Sequence, residues 1–227
     1  MKKTIAILGG ILGVASLASG EELSISSTLA WESDYIFRGV RLADEYAAPS
    51  VDVSYGGFYA GVWAALPFED DEELESEVDL YGGYSFGINE TLSADVGLTY
   101  YTYTNGDWED TIEIYGGLSF EVPLSPAVYV FYDDDLETFT IEASGGYIIE
   151  VDETSSIDLS AYVGYVDPDE GDDYLYYGAG AAYVYTFTDN ASASVGVNYY
   201  GTDADDGLVT DSSKGKFTLA ASFTAGF

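Results

Sequence analysis

Hydrophobic and polar residues alternate with period two along almost the whole chain after residue 20, which is the mark of strands with one apolar face. The last segment shows this most plainly. Phe217, Leu219, Ala221, Phe223, Ala225 and Phe227 share one face, and Thr218, Ala220, Ser222, Thr224 and Gly226 the other. Ile157, Leu159, Ala161, Val163 and Tyr165 alternate in the same way with Asp158, Ser160, Tyr162 and Gly164. The pattern predicts twelve strands, over 24–39, 46–55, 58–66, 77–87, 91–104, 110–121, 126–133, 138–150, 156–166, 174–187, 191–201 and 215–227. Most run to about ten residues, the length a tilted strand needs to cross a bilayer. The least regular are the second, which contains Pro49, and the seventh, which Pro126 opens; proline is tolerated at strand starts and bulges.

The connections alternate in character. Gly56-Gly57, 87–90, 123–125, 152–155 and 188–190 are short. The other set, 43–45, 68–75, 105–109, 133–137, 167–173 and 202–213, is more acidic and includes the longest segments. Short turns at one end and longer loops at the other are the outer-membrane barrel pattern, and an even strand count puts both chain ends on the short-turn side. Open sheet edges cannot sit in hydrocarbon, because every unpaired N–H and C=O there costs several kcal/mol. The expected fold is therefore an all-β, transmembrane, antiparallel up-and-down barrel. A soluble β-sandwich also alternates. Against it, the apolar faces end in aromatic residues near the connections, at Trp31, Tyr35, Tyr84, Phe86, Tyr165, Tyr183, Tyr185 and Phe187, as interface girdles do.

Composition narrows the functional classes. Lys2 and Lys3, the apolar run Thr4 to Leu17 and the small residues Ala18-Ser19-Gly20 read as a secretory signal peptide over 1–20, leaving 21–227 as the barrel. Beyond it stand four basic residues against 41 acids, and 25 of the acids fall in the acidic connections and their edges. Such a charge excludes nucleic acid, which needs clustered Lys and Arg. No apolar run after the signal reaches about 20 residues, so a helical membrane protein is excluded. There is no Cys for disulfides and no His for a Ser-His or Cys-His nucleophile pair. No catalytic residues are expected, and the chain reads as a non-enzyme.

The candidate functional residues lie on the faces opposite the apolar ones. Glu32, Asp34, Arg38, Asp52, Asp79, Asp95, Glu113, Glu142 and Asp158 are the expected lumen-facing residues, with Tyr81, Tyr115 and Tyr162 among them. An acidic lining favours cations. The alternative is a non-conducting structural barrel, its lumen filled by tyrosines and a charge network and its acidic loops forming a surface layer. Arg38 shares parity with Glu32 and Asp34 and is expected to pair with lumen carboxylates, while Arg41 is expected nearer the outer mouth. Two loops, around Asp167, Asp169 and Asp172 and around Asp203 and Asp205, suggest loosely bound divalent cations that could bridge to lipopolysaccharide, although they fail the EF-hand spacing. No other cofactor is expected. Outer-membrane lipid is the expected surrounding partner.

Residues 31–39 read Trp-Glu-Ser-Asp-Tyr-Ile-Phe-Arg-Gly, and a segment from Pro49 to Tyr55 precedes Gly57-Phe-Tyr-Ala-Gly-Val-Trp63. These stretches resemble the TorF-type porin family, the Gcw_chp bacterial outer-membrane proteins. The resemblance is sharp over 20–65 and diffuse beyond. It implies an outer-membrane barrel with porin activity carried by the family name, and it brings no catalytic residues. The terminal Phe227 similarly resembles the signal by which the barrel-assembly machinery recognises its clients.

Overall fold

The computed structural model describes residues 22–68, 76–104, 108–204 and 214–227. The expected signal peptide, Asp205 and the acids of 69–75 lie outside the described residues. Fourteen strands are present among those described: β1 (Ser24–Glu32), β2 (Tyr35–Phe37), β3 (Val40–Ala43), β4 (Tyr46–Tyr55), β5 (Phe58–Pro67), β6 (Glu77–Asn89), β7 (Leu92–Tyr103), β8 (Thr111–Phe120), β9 (Ala127–Asp133), β10 (Thr138–Glu150), β11 (Ser155–Asp167), β12 (Tyr174–Thr188), β13 (Ala191–Thr202) and β14 (Gly215–Gly226). Twelve of them, β1 and β4 through β14, form one closed antiparallel barrel, each pairing with its neighbours in the chain and β1 closing on β14. The closing register runs from Ser26 opposite Gly226 to Glu32 opposite Ala220. Twelve strands at the usual spacing of about 4.8 Å and a tilt of about 40° enclose a backbone cylinder of about 12 Å radius.

Closure leaves no sheet edge, and the period-two pattern then sorts the side chains. Leu29, Val96, Ile114, Val195 and Leu219 stand on the outer wall with half or more of their surface exposed, a band suited to lipid tails. Aromatic residues mark both ends of that band. Phe58, Tyr84 and Phe86 stack near the short-turn rim, with centroids 4.6 and 5.8 Å apart, and Tyr199 meets Phe217 at 5.0 Å near the long-loop rim. Pro49 sits inside β4: partners to β5 stop at Ala47 and resume in the same register at Ser50, as a residue without an N–H requires.

The first strand departs from the sequence reading. It does not continue from 24 to 39 but ends at Glu32. Residues 35–43 turn back as the short hairpin β2–β3, a separate two-stranded sheet folded into the barrel mouth. Tyr35, expected in the outer girdle, is instead buried at 4 % exposure, packed inside against Tyr46 and Trp63 at 5.0 and 5.6 Å. The cluster of Tyr35, Ala43, Tyr46, Ala48 and Ala65 is the main apolar packing inside the barrel, and it seats the hairpin against β4 and β5.

Candidate functional site

The inner wall is built from the second face of every strand, and two sequence features decide its shape. The first is a repeated Tyr-x-Gly at inward positions: Tyr59-Ala-Gly61, Tyr81-Gly-Gly83, Tyr115-Gly-Gly117, Tyr162-Val-Gly164 and Tyr176-Tyr-Gly178. Antiparallel pairing sets each tyrosine opposite a glycine of the next strand. Tyr59 faces Gly83 and Gly61 faces Tyr81, Tyr162 faces Gly178 and Gly164 faces Tyr176, Gly97 faces Tyr115, and Gly117 faces Tyr129. A methyl group on any of these six glycines would come within 2.1–2.5 Å of the partner's ring or hydroxyl. The rings therefore lie along the wall in the space the glycines leave. These six rings hug the wall.

Three of the six hydroxyls are tied to wall carboxylates, and a fourth joins them through Tyr59. Tyr59 donates to Asp95 at 2.7 Å and is 2.7 Å from the Tyr115 hydroxyl; its own proton being used, Tyr115 donates to it. Tyr81 donates to Asp52, and Tyr176 to Glu142 at 2.8 Å. Toward the short-turn rim, β1, β13 and β14 carry small hydroxyls instead, with Thr28 bonded to Thr224 at 2.9 Å and Ser194 to Ser222 at 2.8 Å.

The second feature is the β2–β3 hairpin, whose turn is Arg38-Gly39. Both residues have positive φ, 47° and 81°, as a two-residue hairpin turn of matching twist demands. Gly39 fits that conformation; Arg38 is held in it against its own preference. At Gly39 an added methyl would meet Tyr176 Cβ at 2.7 Å and Thr202 Cβ at 2.9 Å, so the turn presses on β12 and β13. The Arg38 side chain reaches the other way. Its guanidinium makes a two-pronged ion pair with Glu113 on β8, at 2.6 and 2.9 Å, and lies 4.7 Å from the ring centres of Phe131 on β9 and Phe37 on β2. The turn thus spans the lumen from wall to wall. At its base Asp34 takes bonds from Arg41 and Lys216, Arg41 also pairs with Asp44, and Tyr35 donates to Glu77 at 3.1 Å.

Each residue singled out from sequence can now be placed. Glu32, Asp79, Asp95, Glu113 and Asp158 are buried on the inner wall, Asp52 and Glu142 are half-buried there, and Asp34 is buried at the hairpin base. The structure brings Arg38 to Glu113 and not to Asp34 or Glu32. Arg41 lies at the hairpin base, paired with Asp34 and Asp44. Asp167, Asp169, Asp172 and Asp203 lie in the longer connections or their edges, and no group of three or more potential metal ligands forms among the described residues. Sequence reasoning missed Glu77, Tyr101, Phe131 and Asp133. Glu77 shares parity with Asp79 on β6, which could have revealed it. Tyr101 donates to Glu113 at 3.1 Å, and Asp133 accepts the backbone N–H of Asp135 and Leu136 at the β9–β10 turn. Outside the wall, the Asp152 carboxyl of the β10–β11 turn is held down to about 2 by bonds from Ser155 and Thr154.

Solved structures share this barrel fold. The KdgM porin superposes with a TM-score of 0.59 at 11 % identity, covering 90 % of this chain and 99 % of that one. The NanC porin superposes with a TM-score of 0.53 at 12 % identity, covering 91 % and 99 %. These likenesses establish a porin-like outer-membrane barrel fold. No curated protein matches the sequence. The family model described as a bacterial protein of unknown function (Gcw_chp) matches residues 15–226, and the chain belongs to that family.

Proposed function

We propose that this protein is a passive conduit for small cationic or neutral solutes across the bacterial outer membrane, with its aperture set by the β2–β3 hairpin. One observation carries the reading. Among the described residues, carboxylates at inward positions (Glu32, Asp34, Asp52, Glu77, Asp79, Asp95, Glu113, Asp133, Glu142 and Asp158) outnumber the cations there, Arg38, Arg41 and Lys216, by more than three to one. In a confined lumen of low dielectric such an excess attracts cations and repels anions. The tyrosines lying along the wall support an open inner half. One solved KdgM structure is a complex with disordered oligogalacturonate. That ligand is a polyanion, which this wall disfavours, so the cargo here differs in charge. No step of the proposed function is chemical, in keeping with the absence of His and Cys.

The test is a planar-bilayer measurement under a tenfold KCl gradient. The reading expects a reversal potential displaced toward the potassium value, whose limit is about 59 mV. A reversal potential near zero, or one of the anion sign, refutes it. A second reading, a closed structural barrel, is favoured by the hairpin itself, since the turn touches opposite walls. Silence of well-folded protein, persisting after the hairpin is removed, would establish that reading instead.

A further inference from the structure

We propose that the wall around Glu113 is a binding site for a guanidinium-bearing cation and that Arg38 is its tethered occupant, an internal mimic that a solute displaces to open the mouth. This rests on the conduit reading and names the class of solute.

Three observations point there. First, the wall supplies the parts a guanidinium needs, independently of the hairpin. Glu113, 3 % exposed at its side chain, presents both oxygens to the fork; Tyr101 donates to one of them; and Phe131 offers a ring face 4.7 Å from the cation. A two-pronged carboxylate and an aromatic face are the features that separate guanidinium from ammonium recognition. Second, Arg38 occupies the site from a left-handed backbone position that asparagine or aspartate fills far more readily. A turn selected only for stability would not place arginine there. Third, the wall holds more negative charge than the hairpin neutralises. Asp79 is completely buried and makes no ion pair among the described residues; it shares a proton with the Glu77 carboxyl beside it, which also accepts from Tyr35. The one negative charge of this pair has no counter-charge from the hairpin, whose guanidinium is committed to Glu113. The surplus beside Glu113 suits a cation with a second positive group. A dication with one guanidinium end satisfies both Glu113 and the Glu77–Asp79 pair, which the single charge of Arg38 does not.

A tethered occupant competes at an effective concentration of about a millimolar or more, so removing it strengthens binding of a free ligand. The experiment compares the full chain in detergent as wild type, Arg38→Met, and Arg38→Met with Glu113→Gln, by calorimetric titration at fixed ionic strength. The probes are agmatine, methylguanidine and putrescine. Agmatine is expected to bind Arg38→Met at least about tenfold tighter than wild type, and more tightly than methylguanidine. Putrescine, lacking the fork, is expected to bind weakly, and Glu113→Gln to abolish the gain. Equal agmatine affinity in wild type and Arg38→Met overturns the proposal, as does putrescine binding as well as agmatine. Should Arg38→Met fail to fold, Arg38→Lys makes the same comparison, because it keeps the charge and loses the fork; unchanged affinity there also refutes the idea. The titration needs no transport, whereas the conduit reading stands or falls on the wild-type reversal potential, so either can fail alone.

Discussion

The inward glycines set the bore of this barrel, and Gly83→Ala puts that to the test. An alanine methyl there would stand 2.3 Å from the Tyr59 hydroxyl and 2.6 Å from the Val96 carbonyl oxygen. The backbone of β7 is fixed by its pairing to both neighbours, so the Tyr59 ring is what yields. Lifted from the wall, it loses the 2.7 Å bond it donates to Asp95 and the one it accepts from Tyr115. A bond to a charged carboxylate contributes about 1.5–3 kcal/mol and a neutral one about 0.5–1.5, so the loss is about 2–4.5 kcal/mol. The displaced ring also turns into the lumen, lowering single-channel conductance. Gly116→Ala is the control: it lies on the outward face, and its nearest contacts, Asp95 O at 3.6 Å and Val96 Cγ1 at 3.8 Å, are ordinary. Urea-driven folding into phospholipid vesicles measures both variants. If Gly83→Ala matched Gly116→Ala in stability and in conductance, the claim that glycine spaces seat these tyrosines would be wrong.

Further outcomes follow from the same structure. Arg38→Met and Glu113→Gln are each expected to lower stability, and a double-mutant cycle in urea should return a coupling of about 1.5–3 kcal/mol, because either partner alone is left as an uncompensated buried group. Val96→Arg, on the lipid face, is expected to cost about 2–4 kcal/mol in vesicle folding, whereas Ser194→Arg, on the hydroxyl-lined inner wall, should fold and move the reversal potential toward zero. The depressed carboxyl of Asp152 predicts a carboxyl NMR titration with a midpoint at about 2. Since the folded form holds its proton less tightly than the unfolded chain, the turn's stabilisation is complete above the ordinary aspartate range and lost as pH falls through about 2. Thr154→Val should raise that midpoint.

Much of this was legible because a strand's period is two. Eleven of the twelve barrel strands fall within two residues of the positions the alternation predicts, and Asp79 and Glu113 were placed inward by parity alone. The first strand failed for an instructive reason. Tyr35 and Phe37 continue the parity of Trp31, so periodicity alone extends the outward face to residue 39. What ends it is tertiary: those rings find Tyr46, Trp63 and Tyr101 inside the barrel, contacts that local periodicity does not encode. The turn dipeptide Arg38-Gly39 was the local signal available. The Tyr-x-Gly repeat was equally visible, yet its meaning depends on register, which sets each tyrosine against a neighbour's glycine. The partner of Arg38 was beyond reach, since Glu113 lies 75 positions away and only closure of the barrel brings β8 across from the hairpin.

The hairpin and the barrel are separable in construction, which makes the hairpin's effect on permeation measurable. All seven register partners of β1 on β14, and all nine on β4, lie between Ser24 and Glu32, below the hairpin. Replacing 34–44 with a short Gly-Ser connection therefore leaves every barrel ladder intact. It removes Asp34 and Asp44 together with Arg38 and Arg41, so the net charge is unchanged, but the carboxylates on β6 and β8 stay and lose the guanidinium that covers them, in a wider mouth. Stability should fall, since the deletion also strips Tyr35 and Ala43 from the main internal cluster, but closure around twelve strands does not depend on that cluster. Conductance should rise and cation preference sharpen, because Glu77, Asp79 and Glu113 then face the permeating stream without a competing guanidinium. A deletion variant that folds and conducts no better than wild type would show that the aperture lies elsewhere in the lumen, and the control assigned to the hairpin would have to be given up.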